Sequence, residues 1–140
     1  DGDELPAIKR KIADCHLNDQ VILYGFQNKS KVNKILQHAS IYAMTSLSES
    51  FGIVLIEAQS YGLPCIAFDS ARGALEIISD QINGFLIPSR NHTLYVEKLA
   101  LLADDMELRT RMGANGRKNS EQYKEEAIAV QLNHFFDSVL

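Results

Sequence analysis

Four short runs of consecutive apolar residues constrain the fold of this 140-residue chain more than any other feature. The runs are VILY at 21–24, IYAM at 41–44, CIAF at 65–68 and FLI at 85–87. Because they are continuously apolar rather than alternating, they predict strands that are buried on both faces. Strands of this kind belong to parallel sheets that are covered by helices.

Helical periodicity between and after these runs predicts the covering layers. Residues 32–39 and 95–103 carry apolar side chains three and four positions apart, as the core-facing stripe of a helix does. The same spacing at 128–139 predicts a long C-terminal helix that packs on the core, and 5–15 is a weaker helix candidate. We therefore predict an α/β fold, a Rossmann-like parallel sheet with flanking helices, in one domain over residues 1–140. Ligands of such sheets bind beyond the carboxyl ends of the strands.

Composition excludes several classes of function. The 14 Lys and Arg residues are scattered among 18 Asp and Glu residues at a net charge of −4, so no nucleic-acid partner is expected. No run reaches the roughly 18 to 20 apolar residues of a membrane span, and the first residues do not resemble a signal peptide, so a soluble domain is expected. Cys15 and Cys65 form no CxxC pair and are predicted to be buried or half-buried thiols, which fits a cytoplasmic, reducing compartment. No metal-type cluster is evident, and the histidines lack ligand spacing.

The segment after the second predicted strand carries most of the chemical information. A polar loop at 48–50 precedes residues 51–61, which are predicted to form a helix that is apolar on nearly every side and mostly buried. The amides of Ser50, Phe51 and Gly52 would lie in its first turn, where unpaired N–H groups and the helix dipole favour a phosphate. Gly52 either lets the backbone approach that phosphate closely or only eases helix packing, and local features leave both open.

Two glutamates of this segment are candidate ligand-binding residues. Glu57 lies in the middle of the predicted apolar helix, where an unpaired carboxylate is costly, so it requires a partner. Its acceptor oxygens can bind both hydroxyls of a ribose, although a salt bridge to a nearby Arg or Lys meets the same need. Glu49 precedes the helix, where it either lies near the strand-end crevice or acts as an N-terminal cap.

Taken together, residues 49–69, ESFGIVLIEAQSYGLPCIAFD, resemble a motif of the C-terminal, nucleotide-sugar-binding domain of retaining GT-B glycosyltransferases of family 4. That motif has two glutamates separated by seven residues, F-G after the first, A after the second, then G-x-P and an apolar strand. All of these elements are present. The resemblance continues at GALEII, residues 73–78, and at NGFL, residues 83–86. It also includes DGD at 1–3 and the run at 21–26.

The resemblance implies transfer of a sugar from a nucleoside-diphosphate sugar, of the UDP or GDP type, with retention of configuration. The products in this family are typically cell-surface polysaccharides or glycolipids, and no cofactor or metal is implied. Glu49 would be the catalytic residue, in contact with the sugar near the reaction centre. The donor-binding residues that the resemblance implies are Ser50, Phe51 and Gly52 for the diphosphate, Glu57 for the ribose, and Glu76 near the sugar, with helix capping as the alternative for Glu76.

Other parts of a complete enzyme are expected outside residues 1–140. In the family, an Arg–Lys pair upstream of the matched residues clamps the diphosphate, and an N-terminal domain binds the acceptor. We therefore expect this chain to bind the donor but to need the missing acceptor-binding domain for turnover. Peripheral membrane association of the whole enzyme stays open. Arg72 is interpreted as a surface arginine, with a contact to the donor phosphate as the alternative.

Two other functions are alternatives to a glycosyltransferase domain. One is a non-catalytic nucleotide-sugar-binding or regulatory module of the same fold. The other is an unrelated α/β enzyme of sugar nucleotides, such as an epimerase, which would share only the fold. An upstream Rossmann-like domain in the parent reading frame would favour the glycosyltransferase.

Overall fold

The computed structural model describes residues 2–139, so Asp1, the first residue of the predicted DGD turn, lies outside the described residues. The described chain divides into two compact units, one that ends at Ile35 and one that begins at Leu36. The assignment of residues 1–140 to one donor-binding domain stays a prediction.

The first unit confirms the weaker helix candidate but not the first predicted strand. Helix α1 (Leu5–Asp14) carries Pro6 in its first turn, where the missing N–H of proline breaks no intrahelical hydrogen bond. The strand predicted at 21–24 is wrong, because these residues form no strand and the Ile22 side chain is 70% exposed. A strand requires a neighbour that takes its backbone hydrogen bonds, and no described residue pairs with this run. Apolar composition alone does not supply that neighbour.

Within residues 2–139 the remaining predicted strands and helices are present, together with two further α-helices, α4 (Arg72–Ile77) and α6 (Met106–Ser120), and a 3-10 helix at Glu121–Tyr123. In chain order they are α2 (Lys29–His38), β1 (Tyr42–Met44), α3 (Ile53–Ser60), β2 (Cys65–Phe68), α4 (Arg72–Ile77), β3 (Gly84–Ile87), α5 (His92–Asp104), α6 (Met106–Ser120) and α7 (Glu125–Val139). The strands form a three-stranded parallel sheet in the order β1-β2-β3. The predicted fold class, an α/β parallel sheet with flanking helices, is confirmed.

Burial differs among the three strands of the described sheet. All of the central strand β2 is buried, as predicted. In β1 the middle residue, Ala43, is exposed, so the prediction of burial on both faces is wrong there. The reason is that no described element covers the face of β1 from which Ala43 projects. The main hydrophobic cluster contains Ile66, Phe68, Phe85, Ile87, Tyr95, Leu102, Leu108 and Met112.

Tyr95 of α5 links the two strands that lead to the candidate site. Its hydroxyl lies within hydrogen-bond distance of the carbonyl oxygens of Met44, at 3.3 Å, and Ile66, at 3.2 Å. Burial raises the pKa of the Tyr95 phenol to about 12, so it stays protonated and donates at neutral pH. The Tyr95 hydroxyl thus holds the carboxyl-terminal end of β1 beside β2.

The end of α3 is fixed by a glycine turn. Gly62 has φ +75°, its N–H donates to Gln59 O at 2.8 Å, and the N–H of Leu63 donates to Ala58 O at 3.2 Å. These two bonds form a Schellman motif, which ends a helix and here directs the chain into β2. Helix α6 approaches the same turn so closely that a Cβ at Gly113 would lie 2.0 Å from Gly62 O.

The C-terminal helix α7 departs from the prediction. It is present and amphipathic, but none of its residues is buried, and Leu132, Phe135 and Phe136 are each more than half exposed. The predicted packing of its apolar stripe on the core is therefore wrong, because no described element covers it. Of the helices in residues 2–139, none combines the length and apolar character needed to cross a bilayer.

The two cysteines differ in burial, and this difference gives a first prediction. Cys15 is exposed, which corrects the expectation of a buried or half-buried thiol, whereas Cys65 is fully buried. Burial raises the pKa of the Cys65 thiol to about 12, so only about one molecule in ten thousand carries a thiolate at pH 8. We expect iodoacetamide at pH 8 to alkylate Cys15 in the native protein and Cys65 only after denaturation, as measured by peptide mass spectrometry. Equal native rates at the two thiols would contradict this burial, and Cys15→Ser is the control.

Candidate functional site

An open cleft of about 480 Å³ lies beyond the carboxyl ends of β1 and β2. Its lining residues come from the loops that follow these strands and are Ser48, Glu49, Ser50, Ser70 and Arg72. This is the edge where ligands of parallel α/β sheets bind. The structure thus brings Glu49 and Ser50, both singled out from the sequence, together with Arg72, which was interpreted as a surface residue.

The two loops of the cleft are held against each other by Gly73. Its N–H donates to Glu49 O at 3.1 Å. A Cβ at this position would lie 2.3 Å from the carbonyl carbon of Phe51 and 2.6 Å from Gly52 N. Only glycine permits this approach, because backbone atoms cannot move aside as a flexible side chain can. The spacing between the Glu49 loop and the Arg72 loop is therefore set by backbone contacts.

Helix α3 begins two residues later than predicted. Its first residue is Ile53, and Gly52 is the N-cap with φ +80°. The amides of Ser50, Phe51 and Gly52 therefore precede the helix instead of forming its first turn. None of these three amides donates a hydrogen bond within residues 2–139. Of the three residues only Ser50 lines the cleft, and the role of these amides in holding a diphosphate stays a prediction.

Glu57 is half-buried on α3, not deeply buried as the sequence predicted. The reason is that the first turn of α3 is open to solvent, with the Ile53 side chain 62% exposed and Val54 40% exposed. Glu57 does not line the cleft, but it lies near Tyr42 of β1. The pKa of the Tyr42 phenol is raised first by burial, and the negative charges of the Glu57 and Glu49 carboxylates raise it further. Both glutamates are therefore close enough to Tyr42 to influence its titration.

Phe51 and Glu76 lie outside the lining of the cleft. The Phe51 ring is 49% exposed and packs edge to face on Tyr123, with ring centroids 6.2 Å apart. The Tyr123 hydroxyl donates to the backbone carbonyl of Glu76 at 3.5 Å, and the Glu76 side chain is exposed. Glu76 lies near the end of α4, so it does not cap the start of that helix. Donor contacts by Phe51 and Glu76 stay predictions.

Comparison with known families accounts for most of the chain. The family profile described as "Glycosyl transferases group 1" matches residues 1–119. The chain belongs to this family. The solved structures that are similar to this chain are GT-B glycosyltransferases, as the motif at 49–69 predicted.

The individual relatives are considerably longer than this chain. The amylovoran biosynthesis glycosyltransferase AmsD of Erwinia amylovora is 32% identical over 95% of the chain and 37% of its own length. The N-acetyl-alpha-D-glucosaminyl L-malate synthase of Bacillus anthracis is 31% identical over 100% of the chain and 36% of its own length. Among solved structures, the pneumococcal O-GlcNAc transferase GtfA in complex with UDP and GlcNAc has a TM-score of 0.82 at 28% identity, covering 99% of the chain and 28% of GtfA. The chain therefore spans about a third of the length of these curated relatives.

Sequence reasoning did not single out Ser70, although a signal for it was available. Ser70 follows β2 after one intervening residue, at the strand end where ligands are expected, and its Oγ is buried with no hydrogen-bond partner in the described residues. The carboxylate of its neighbour Asp69 already has a partner, because Asp69 Oδ1 accepts a hydrogen bond from Ser89 N at 2.8 Å.

The described residues, 2–139, contain no group of three or more His, Cys, Asp or Glu side chains that could hold a metal ion.

Proposed function

We propose that this chain is the donor-binding domain of a retaining glycosyltransferase that takes its sugar from a nucleoside-diphosphate sugar. The observation that carries this proposal is the cleft, which places Glu49 and Ser50 beside Ser48, Ser70 and Arg72 at the carboxyl edge of the sheet. Turnover requires the remaining two thirds of the protein, which would bind the acceptor. The acceptor class in this proposal is a precursor of a cell-surface polysaccharide or glycolipid.

The cleft supports this function through complementary charges. Transfer from a nucleoside-diphosphate sugar leaves negative charge on the departing diphosphate, and fixed N–H donors and cations stabilise such charge. The free amides of Ser50, Phe51 and Gly52 and the guanidinium of Arg72 are donors of this kind. The Glu49 carboxylate can only accept hydrogen bonds, and sugar hydroxyls donate them. In this proposal the donor sugar lies at Glu49, with its phosphates toward the amides.

Nucleotide titration tests the proposal. We expect one of UDP, GDP or ADP to bind the full-length protein saturably, and Glu57→Ala to weaken that binding about tenfold to a hundredfold. The reason is that the charge-assisted hydrogen bonds of Glu57 to the ribose are lost, and a net loss of about 1.5 to 3 kcal/mol corresponds to roughly tenfold to a hundredfold in affinity. Calorimetric titration measures both constants. Glu97→Ala, an exposed glutamate on α5, is the matched control and should bind as the wild type does.

Two results would count against the proposal in different ways. Failure of all three nucleotides to bind at millimolar concentration would reject donor binding altogether. Saturable nucleotide binding without any glycosyl transfer by the full-length protein would favour the non-catalytic module of the same fold.

A further inference from the structure

Two residues of the cleft, Ser70 and Arg72, have no role in the motif that identified the site. Ser70 lies between β2 and α4, and Arg72 is the first residue of α4. Both residues line the same cleft as Glu49. We propose that Arg72 and the Ser70 hydroxyl bind the diphosphate of the donor. This inference rests on the proposed function and assigns a specific anion subsite within it.

The Ser70 hydroxyl is the first observation. It is buried without a hydrogen-bond partner in the described part of the chain. A buried polar group without a partner is destabilising, and native proteins rarely retain one unless a ligand, ion or water satisfies it. Because Ser70 lines the cleft, rotation of its side chain about χ1 would turn the hydroxyl toward a ligand bound there.

The unpaired charge of Arg72 is the second observation. Its side chain is exposed, and within residues 2–139 it makes no ion pair and no hydrogen bond. Glu49 lies in the same cleft but does not pair with it. Arginine presents a planar fork of donors that matches phosphate oxygens, so a cleft arginine without a carboxylate partner is suited to a phosphate ligand.

The fixed approach of the two cleft loops is the third observation. The Gly73–Glu49 hydrogen bond and the contact of Gly73 with the backbone at 51–52 hold the Glu49 loop and the start of α4 beside each other. A neutral sugar alone would leave Arg72 unused, and a phosphate alone would leave Glu49 unused. A sugar joined to a phosphate satisfies both, with hydroxyls at Glu49 and phosphate oxygens at Arg72 and Ser70.

The test compares nucleoside diphosphates with the matching nucleosides on the full-length protein. Calorimetric titration gives the affinity of UDP, GDP or ADP and of uridine, guanosine or adenosine for the wild type, Arg72→Ala and Ser70→Ala. We expect Arg72→Ala to weaken diphosphate binding about tenfold to a hundredfold, the range of charge-assisted hydrogen bonds, without changing nucleoside affinity. Arg111→Ala, an exposed arginine on α6, is the matched control and should change neither.

Ser70→Ala separates ligand binding from stability. Because the hydroxyl has no partner in the described chain, the substitution should leave the melting temperature unchanged or raise it, while diphosphate affinity falls about threefold to tenfold. If the wild type binds a diphosphate and Arg72→Ala binds it equally well, the inference is overturned while the proposed function stands. Equal losses for diphosphate and nucleoside in Arg72→Ala would also overturn it. Failure of the wild type to bind any nucleotide would reject both.

Discussion

Replacing Gly73 with alanine is expected to abolish nucleotide binding and to lower the free energy of unfolding by about 1 to 3 kcal/mol. Helix propensity alone predicts the opposite, because alanine is favoured over glycine inside a helix by about 1 kcal/mol. The added Cβ would lie 2.3 Å from the carbonyl carbon of Phe51, and backbone must move to relieve this overlap. The displaced segment carries Glu49 and the free amides at 50–52. Urea unfolding and nucleotide titration measure the two effects.

Gly113→Ala provides the matched comparison for Gly73→Ala. Its Cβ would also meet backbone, 2.0 Å from Gly62 O, but at the contact of α6 with the turn after α3. We expect a similar loss of stability with nucleotide affinity preserved in the folded fraction. If Gly73→Ala retained wild-type nucleotide affinity, the coupling of the two cleft loops through Gly73 would be refuted.

Glu49→Gln is expected to reduce glycosyl transfer by the full-length protein about a hundredfold, with little change in the affinity for the nucleoside diphosphate. The amide keeps the size of the side chain but loses the negative charge and replaces one acceptor oxygen by a donor. Hydrogen bonds to a charged acceptor contribute about 1.5 to 3 kcal/mol, which is roughly tenfold to more than a hundredfold in rate if they strengthen in the transition state. Steady-state kinetics with a radiolabelled donor gives kcat and KM separately.

A matched control for Glu49→Gln is Glu97→Gln, which removes the same charge from the exposed surface of α5. It should retain wild-type kcat and KM. Wild-type kcat in Glu49→Gln would remove Glu49 from the catalytic role. A rise in KM at unchanged kcat would instead indicate that Glu49 stabilises the bound substrate and the transition state equally.

The predictions from sequence succeeded where one local pattern determined the outcome. The central strand β2 is a continuously apolar run and is fully buried, and the loop after β1 carries Glu49 and Ser50 at the cleft, as the strand-end rule indicated. The same pattern failed at 21–24, because pairing depends on a neighbouring strand that apolar composition cannot specify. It also failed at α7, where periodicity predicts an apolar face but not the surface that covers it.

The composition of the cleft could be predicted only in part. Ser70 and Arg72 follow β2, and their position relative to Glu49 depends on how two loops from neighbouring strands meet. That meeting depends on a close backbone approach at Gly73, which a single sequence shows only as a glycine in the first turn of a short helix. Likewise, the half-burial of Glu57 follows from the exposed first turn of α3, whereas the sequence of that turn is strongly apolar.

The hydrogen bonds of Tyr95 have a consequence for the order of folding. Its hydroxyl joins α5 to Met44 O and Ile66 O, contacts that span 51 and 29 residues along the chain. Contacts between residues far apart in sequence form late, because a long loop must close before they stabilise the structure. The strand ends beneath the cleft are therefore locked only after α5 has docked. A chain interrupted before residue 95 would lack both the hydroxyl that joins β1 to β2 and the part of the hydrophobic cluster that α5 and α6 supply.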